Sequence, residues 1–243
     1  MIPNNAITVE NLTKTYGAKT AVDKLNLAIH ENELFALLGV NGAGKTTTIR
    51  MLSCLSSPTS GTAEILGHDV QKEPSAVKAL IGISTQDTAV AENLTVEENL
   101  RFMAGIFGKD EDEATEKAVN AFHLEEVRKK RAKTLSGGWK RKLSIAMAII
   151  SEPKILYLDE PTLGLDVLAR RELWKIIKEL KKHMTVILTT HYMEEAEMLA
   201  DRIALMIDGS IVCTGTLSEL ESLTGQKGLE NVFVHVAENG GLR

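Results

Sequence analysis

Residues 39–47 read GVNGAGKTT, placed between the unbroken apolar run LFALL at 34–38 and the helically spaced Ile49, Leu52 and Leu55. Five apolar residues closed by a glycine loop read as a buried parallel strand, and strand, loop and helix in that order form a phosphate cradle. Without side chains at Gly39, Gly42 and Gly44 the backbone can curl, so that successive N–H groups turn inward beside the positive end of the following helix. Gly39, Gly44, Lys45 and Thr46 satisfy the GxxxxGK[ST] spacing. In that pattern the lysine reaches the outer phosphates and the hydroxyl of Thr46 takes Mg²⁺.

The 243 residues, 44% of them hydrophobic, suffice to bury a full core as a single functional unit. A net charge of -5 and the lack of a broad basic stripe argue against a nucleic-acid surface. The local run RKKRAK at 128–133 reads as a solvated helix end. Cys54 and Cys213 lie far apart with no CxxC spacing, which suits a reducing compartment and argues against a metal centre. No apolar stretch approaches the roughly 20 residues that span a bilayer, and MIPNNAITVE lacks the pattern of a signal peptide. A soluble chain is expected, whose membrane role would need a partner.

Along the chain, AITVE and the alternating LNLAI at 25–29 predict antiparallel strands before the nucleotide core begins at LFALL. Further strands are expected near Glu64 to Leu66 and at 81–85. From Asp87 to about Ile150 the texture becomes helical: Thr95 and Glu98 form a capping box, Leu100, Met103 and Phe107 follow at helical spacing, and DEDEATEKAVNAF opens with acids. Strand and helix then alternate through KILYLD, a helix over 168–182, TVILTT, the short YMEEAEMLA helix and IALMIDGSIVC, with a hairpin turn at Asp208 and Gly209. The expectation is an α/β fold, a mainly parallel sheet flanked by helices, with an amino-terminal antiparallel β-subdomain and a helical insertion. One domain covers 1–243: residues 1–86 and 151–223 form the core, 87–150 the helical subdomain, and 224–243 a tail in which NVFVHV reads as a strand and ENGGLR as a loose end.

ILYLDE at 155–160 is an apolar strand ending in two acids. Ligands of an open parallel sheet sit at the carboxyl ends of its strands, so Asp159 should reach Mg²⁺ and Glu160 should orient or deprotonate the water attacking a γ-phosphate. LSGGW at 135–139 precedes a helix whose Leu143, Ala146, Met147 and Ile150 share one face. Ser136, the Gly138 amide and that helix's N-terminus therefore offer a second anion site. The residues alone leave open where its phosphate comes from.

In this order the motifs resemble the nucleotide-binding subunits of ABC transporters, over about Ile7 to Leu220. GVNGAGKTT is similar to that family's Walker A, Gln86 to the Q-loop glutamine, LSGGW to the signature, ILYLDE to Walker B, the segment ending at Asp166 to the D-loop and His191 to the switch histidine. Tyr16 resembles the aromatic that stacks on adenine. The resemblance implies a P-loop NTPase that uses ATP and Mg²⁺, with Glu160, His191 and Gln86 catalytic and Thr46, Gln86 and Asp159 at the metal. Tyr16, Gly39, Asn41, Gly42, Ala43, Gly44, Lys45, Thr46 and Thr47 would hold the nucleotide on one side. Ser136, Gly137, Gly138 and Asp166 would meet it from a second ATPase subunit, packed head to tail as a homodimer or heterodimer.

It further implies an integral membrane permease docked on the helical insertion, a position at the cytoplasmic face of the membrane, and a transported molecule recognised by that partner. THYMEEAE resembles most closely the exporters of drugs, lipids or polysaccharides. Trp139 departs from the family's usual Gln, and Val40 from its usual Pro. Two other classes compete with this reading: a soluble ABC-type ATPase acting on a non-membrane partner, and an ATP sensor without turnover.

Overall fold

The computed structural model describes residues 4–238, and its strands follow the two hydrophobic patterns of the sequence. Strands β1 (Asn5–Tyr16) and β2 (Lys19–His30) carry apolar residues on one side and pair antiparallel. β3 (Leu34–Leu38) is buried on both faces, the condition of a central parallel strand. The glycine loop then leads into α1 (Lys45–Leu52). β4 (Ser60–Ile65) and β5 (His68–Asp69) return to the first sheet, and α2 (Pro74–Leu80) leads to β6 (Ile81–Ser84).

The helical segment comprises α3 (Val96–Ile106), α4 (Glu111–Phe122) and α5 (Gly137–Ile149). Helices α3 and α4 start where side chains supply caps. Thr95 and Glu98 form the expected box, and Asp110 accepts from the Glu113 amide. β7 (Ile155–Asp159), α6 (Val167–Lys181), β8 (Thr185–Thr190), α7 (Met193–Leu199) and β9 (Arg202–Ile207) restore the alternation. The hairpin to β10 (Ser210–Gly215) turns at Asp208 and Gly209, both at positive φ, as the sequence predicts. Helices α8 (Leu217–Thr224) and α9 (Leu229–Glu238) end the described chain.

One sheet has the order β2-β1-β4-β5 and the other β10-β9-β3-β8-β7-β6, parallel throughout except for the β9–β10 hairpin. Alternation along each central strand divides the core between the faces of the second sheet. Leu34, Ala36 and Leu38, with Leu156 and Leu158, pack under the helices. Phe35, Leu37, Ile155 and Tyr157 face the antiparallel sheet and α1. The molecule is thus three-layered, and the glycine loop sits where the two sheets and α1 meet.

Two expectations change. NVFVHV is part of helix α9 rather than a strand, because Leu229, Val232, Phe233 and Val236 recur at helical spacing and are buried against the core. The β-branched valines carry only a weak strand preference, which packing overrides. The basic run 128–133 spans short 3-10 turns, not the end of an α-helix, and Arg128 is held 2.8 Å from Glu97 and 2.5 Å from Glu116. ENGGLR lies, beyond Glu238, outside the described residues.

The corrected element is testable at Val234, which is exposed. Proline there should cost about 3 kcal/mol and remove amide-exchange protection over 229–238, whereas alanine should be neutral or slightly stabilising. Tolerance of proline with a loss on alanine would be the behaviour of an edge strand.

Candidate functional site

β8 lies between β3 and β7 with their carboxyl ends flush, Thr190 paired with Leu38 and Thr189 with Asp159. The chain leaves β3 through the glycine loop, and Gly44 takes φ 107°, where a Cβ would lie 2.5 Å from the Ala21 carbonyl oxygen. That turn aims Lys45, the first residue of α1, back along the loop. Its ammonium donates to the carbonyl oxygens of Gly39 (2.7 Å) and Val40 (3.2 Å) and lies 3.5 Å from Glu160 Oε1. Burial pulls the Lys45 pKa below its ordinary value, against the opposing pull of Glu160 and Asp159.

Asp159 ends β7 almost fully buried. Its Oδ1 accepts from Thr46 Oγ1 at 3.1 Å and from Thr189 Oγ1 at 2.5 Å. The same Thr189 hydroxyl accepts the Glu160 amide at 3.0 Å, so one side chain orients both acids. Glu160 adopts φ 47°, a left-handed backbone that non-glycine residues hold only when their surroundings impose it. This turns its carboxylate inward between Lys45 and His191, whose Nδ1 lies 3.1 Å from Oε2, at ion-pair distance but without hydrogen-bond alignment. The His191 ring also stands 4.1 Å from that of Tyr192. Behind this corner, the buried Glu195 accepts from Trp174 Nε1 at 3.0 Å, tying α7 to α6, and burial raises its pKa.

These groups open into a cleft of about 470 Å³ lined by Asn41, Gly42, Gly44, Lys45, Thr46 and Thr47 on one side and by Gln86, Glu160 and His191 on the other. Tyr16 stands at its mouth, half exposed, with Lys14 Nζ 4.9 Å from the ring centre. Ala21 and Leu163 add apolar wall and Lys19 a further cation. Thr46 and Asp159 present oxygen ligands side by side, the donor type Mg²⁺ takes from one or two protein groups beside phosphate oxygens.

Ser136, Gly137, Gly138 and Asp166 do not line this cleft. Ser136 precedes α5 without making a side-chain cap bond, and both it and Gly137 are exposed. The carboxylate of Asp166 caps α6 by accepting from the amides of Leu168 (2.9 Å) and Ala169 (3.0 Å). A Cβ on Gly138 would lie 3.2 Å from that of Ala169, so the two helix starts adjoin. Val167 and Leu168 are exposed beside them. Trp139 packs against the core with Lys142 Nζ 4.3 Å over its ring, and Lys142 pairs with Glu172 at 2.5 Å.

The sequence model of the ABC_tran family, described as ABC transporter, matches residues 22–163. The chain belongs to this family. It is 43% identical over 227 residues to the daunorubicin/doxorubicin resistance ATP-binding protein DrrA of Streptomyces peucetius, covering 92% of this chain and 69% of that protein. It is 39% identical over 224 residues to the human retinal-specific phospholipid-transporting ATPase ABCA4, covering 90% of this chain but 10% of that much longer protein. A solved ATP-binding subunit of an ABC transporter superposes with a TM-score of 0.84 at 30% identity, covering 94% of this chain and 98% of the other. The cassette MJ0796, solved as a dimer in a post-hydrolysis state with ADP and Pi, matches at 0.79 and 25% identity, covering 87% and 98%. The fold is therefore that of a P-loop ABC ATPase, and ATP is what this ABC protein binds and hydrolyses.

Sequence reasoning missed Thr189. The letters TVILTT read as a core strand, and only the register of β8 beside β7 sets this hydroxyl against both acids. Thr189→Val keeps the volume but removes both bonds. It should lower ATP hydrolysis by about 10- to 100-fold and raise the Mg²⁺ concentration needed for half-maximal rate, as read in a steady-state ATPase titration.

Proposed function

We propose that this chain is the ATP-hydrolysing subunit of an exporter, working as a head-to-tail pair at the cytoplasmic face of a membrane. The observation that carries the reading is the separation of two features on one molecule: the Lys45–Glu160–His191 cleft, and the exposed Ser136–Gly138 start of α5 that does not line it. A triphosphate in the cleft would leave its outer face for the α5 start of a second subunit, either a second copy or a homologue. The amides and hydroxyl there contact the γ-phosphate only while it is attached, so cleavage removes the differential contact that holds the pair closed.

Within each cleft, Tyr16 stacks on adenine and the loop from Gly39 through Thr47 wraps the phosphates, with Lys45 on the outermost. Thr46, Asp159 and Gln86 would hold Mg²⁺, which neutralises charge on the phosphate oxygens. Glu160 orients and deprotonates the attacking water, and His191 donates to the γ-phosphate. Asp166 fixes the start of α6 next to the partner-facing loop. On the far side of Gln86, α3 exposes Phe102 and Ile106 with Phe107 just beyond, an apolar face for a cytoplasmic helix of an integral membrane permease. No helix among the described residues is long and apolar enough to cross a membrane. The names of the relatives, a drug-resistance ATP-binding protein and a phospholipid-transporting ATPase, support export of an amphiphile chosen by that permease.

Glu160→Gln should keep ATP bound without cleaving it and elute as a dimer only when ATP and Mg²⁺ are present. A monomer carrying ATP under those conditions would contradict the paired site.

A further inference from the structure

Gln86 follows β6 and is exposed, and it lines the nucleotide cleft. Among the described residues its one hydrogen bond is made by Arg141, whose Nη2 donates to the Gln86 carbonyl oxygen at 2.5 Å while Nη1 donates to that of Thr85 at 2.7 Å. Arg141 belongs to α5, three residues beyond Gly138, and is 5% exposed. It has no ion pair with a carboxylate among the described residues. Asp159, Asp87 and Glu195 act on it only through space, and burial pulls its pKa below the usual guanidinium value.

A buried cation satisfied by two successive carbonyls is costly to keep and demanding in geometry. The planar fork sets two nitrogens in fixed geometry against the two oxygens, which the freely rotating point charge of an ammonium does not. Elsewhere α5 is pressed onto β6 without freedom to slide: Ser144 Oγ lies 3.0 Å from Ser84 Oγ, and a Cβ on Gly82 would sit 2.3 Å from the Ala148 carbonyl oxygen. The guanidinium extends that contact past the end of β6 onto Thr85 and Gln86, ahead of Val90 and Ala91, where the loop is next held by the core and by Asn99.

We infer that Arg141 is a positioning residue, carried on the helix that starts at Ser136–Gly138, which holds Gln86 in its own molecule's ATP cleft. The inference rests on the reading of Gln86 as an ATP-site residue. Since the start of α5 faces the partner's nucleotide in the proposed pair, the bridge makes one rigid link between the ATP seen by Gln86 and the ATP seen by Ser136. Displacing α5 at one site then displaces Gln86 at the other.

The test is steady-state ATP hydrolysis by the full chain as wild type, Arg141→Met, Arg141→Lys, Gln86→Ala and the Arg141→Met/Gln86→Ala double variant, with thermal midpoints measured alongside. Arg141→Met should lower kcat by about tenfold with KM for ATP changed less than about twofold, because the phosphate-loop contacts are untouched. Gln86→Ala should do the same, and the double variant should be no slower than either single one, as expected of residues acting through one group. Arg141→Lys should recover part of the rate, and it supplies the kinetic readout if the methionine variant does not fold. Wild-type kcat in both Arg141 variants where Gln86→Ala is impaired, losses that multiply in the double variant, or a rise in KM alone would overturn the role of Arg141. Wild-type turnover by Gln86→Ala would instead remove the reading of Gln86 on which the inference rests, whatever the outcome of the Glu160→Gln dimer assay.

Discussion

Three neighbouring strands ending at one level is the constraint on which the site depends. Because β3, β8 and β7 are parallel and in register, the residues that follow them emerge side by side. Lys45, Asp159, Glu160 and His191 come from three separate stretches of chain yet meet within hydrogen-bond or ion-pair reach. Desolvation works against the Lys45 charge, so the ammonium needs the loop carbonyls and Glu160 around it. The strained backbone of Glu160 is tolerated because Thr189 takes its amide and its carboxylate is held between Lys45 and His191. The arrangement places a candidate base next to cations that draw phosphate, the combination water attack on a triphosphate requires.

The three-layer fold also explains why the glycine loop and the start of α5 stand apart on one molecule. The glycine loop is fixed where the two sheets meet, whereas the start of α5 is fixed by packing of that helix on β6 and beside α6. Neither can swing onto the other without breaking core contacts. Exposed Val167 and Leu168 next to Ser136 leave apolar surface at the same edge. A second subunit meeting that edge would complete both sites at once, which is why nucleotide and assembly are one problem in this account.

Much of this was legible in the sequence, and where it was not the reason is geometric. LFALL, ILYLD and TVILTT are continuous apolar runs, which only strands buried on both faces require, and they appear as β3, β7 and β8. The Thr95 cap and the Asp208–Gly209 turn are local chemistry and equally plain. The motif residues of the cleft, from Tyr16 to His191, were readable from spacing and family resemblance together. Three things were not. The helicity of α9 depends on a core it packs against, the role of Thr189 on strand register, and the grip of Arg141 on Gln86 on two segments more than fifty residues apart.

The central claim is that one molecule's loop and another's α5 start clamp the same ATP. Complementation between two inactive variants tests it most directly: Lys45→Ala, which spoils the loop, and Ser136→Asp, which keeps a good helix cap but sets a carboxylate against the phosphate. A mixed pair contains one site spoiled twice and one wholly intact site. ATP hydrolysis should therefore return on mixing, to about a quarter of the wild-type rate if pairing is random and sites act independently. A mixture as inactive as its parts, although mixed dimers form, would contradict the account.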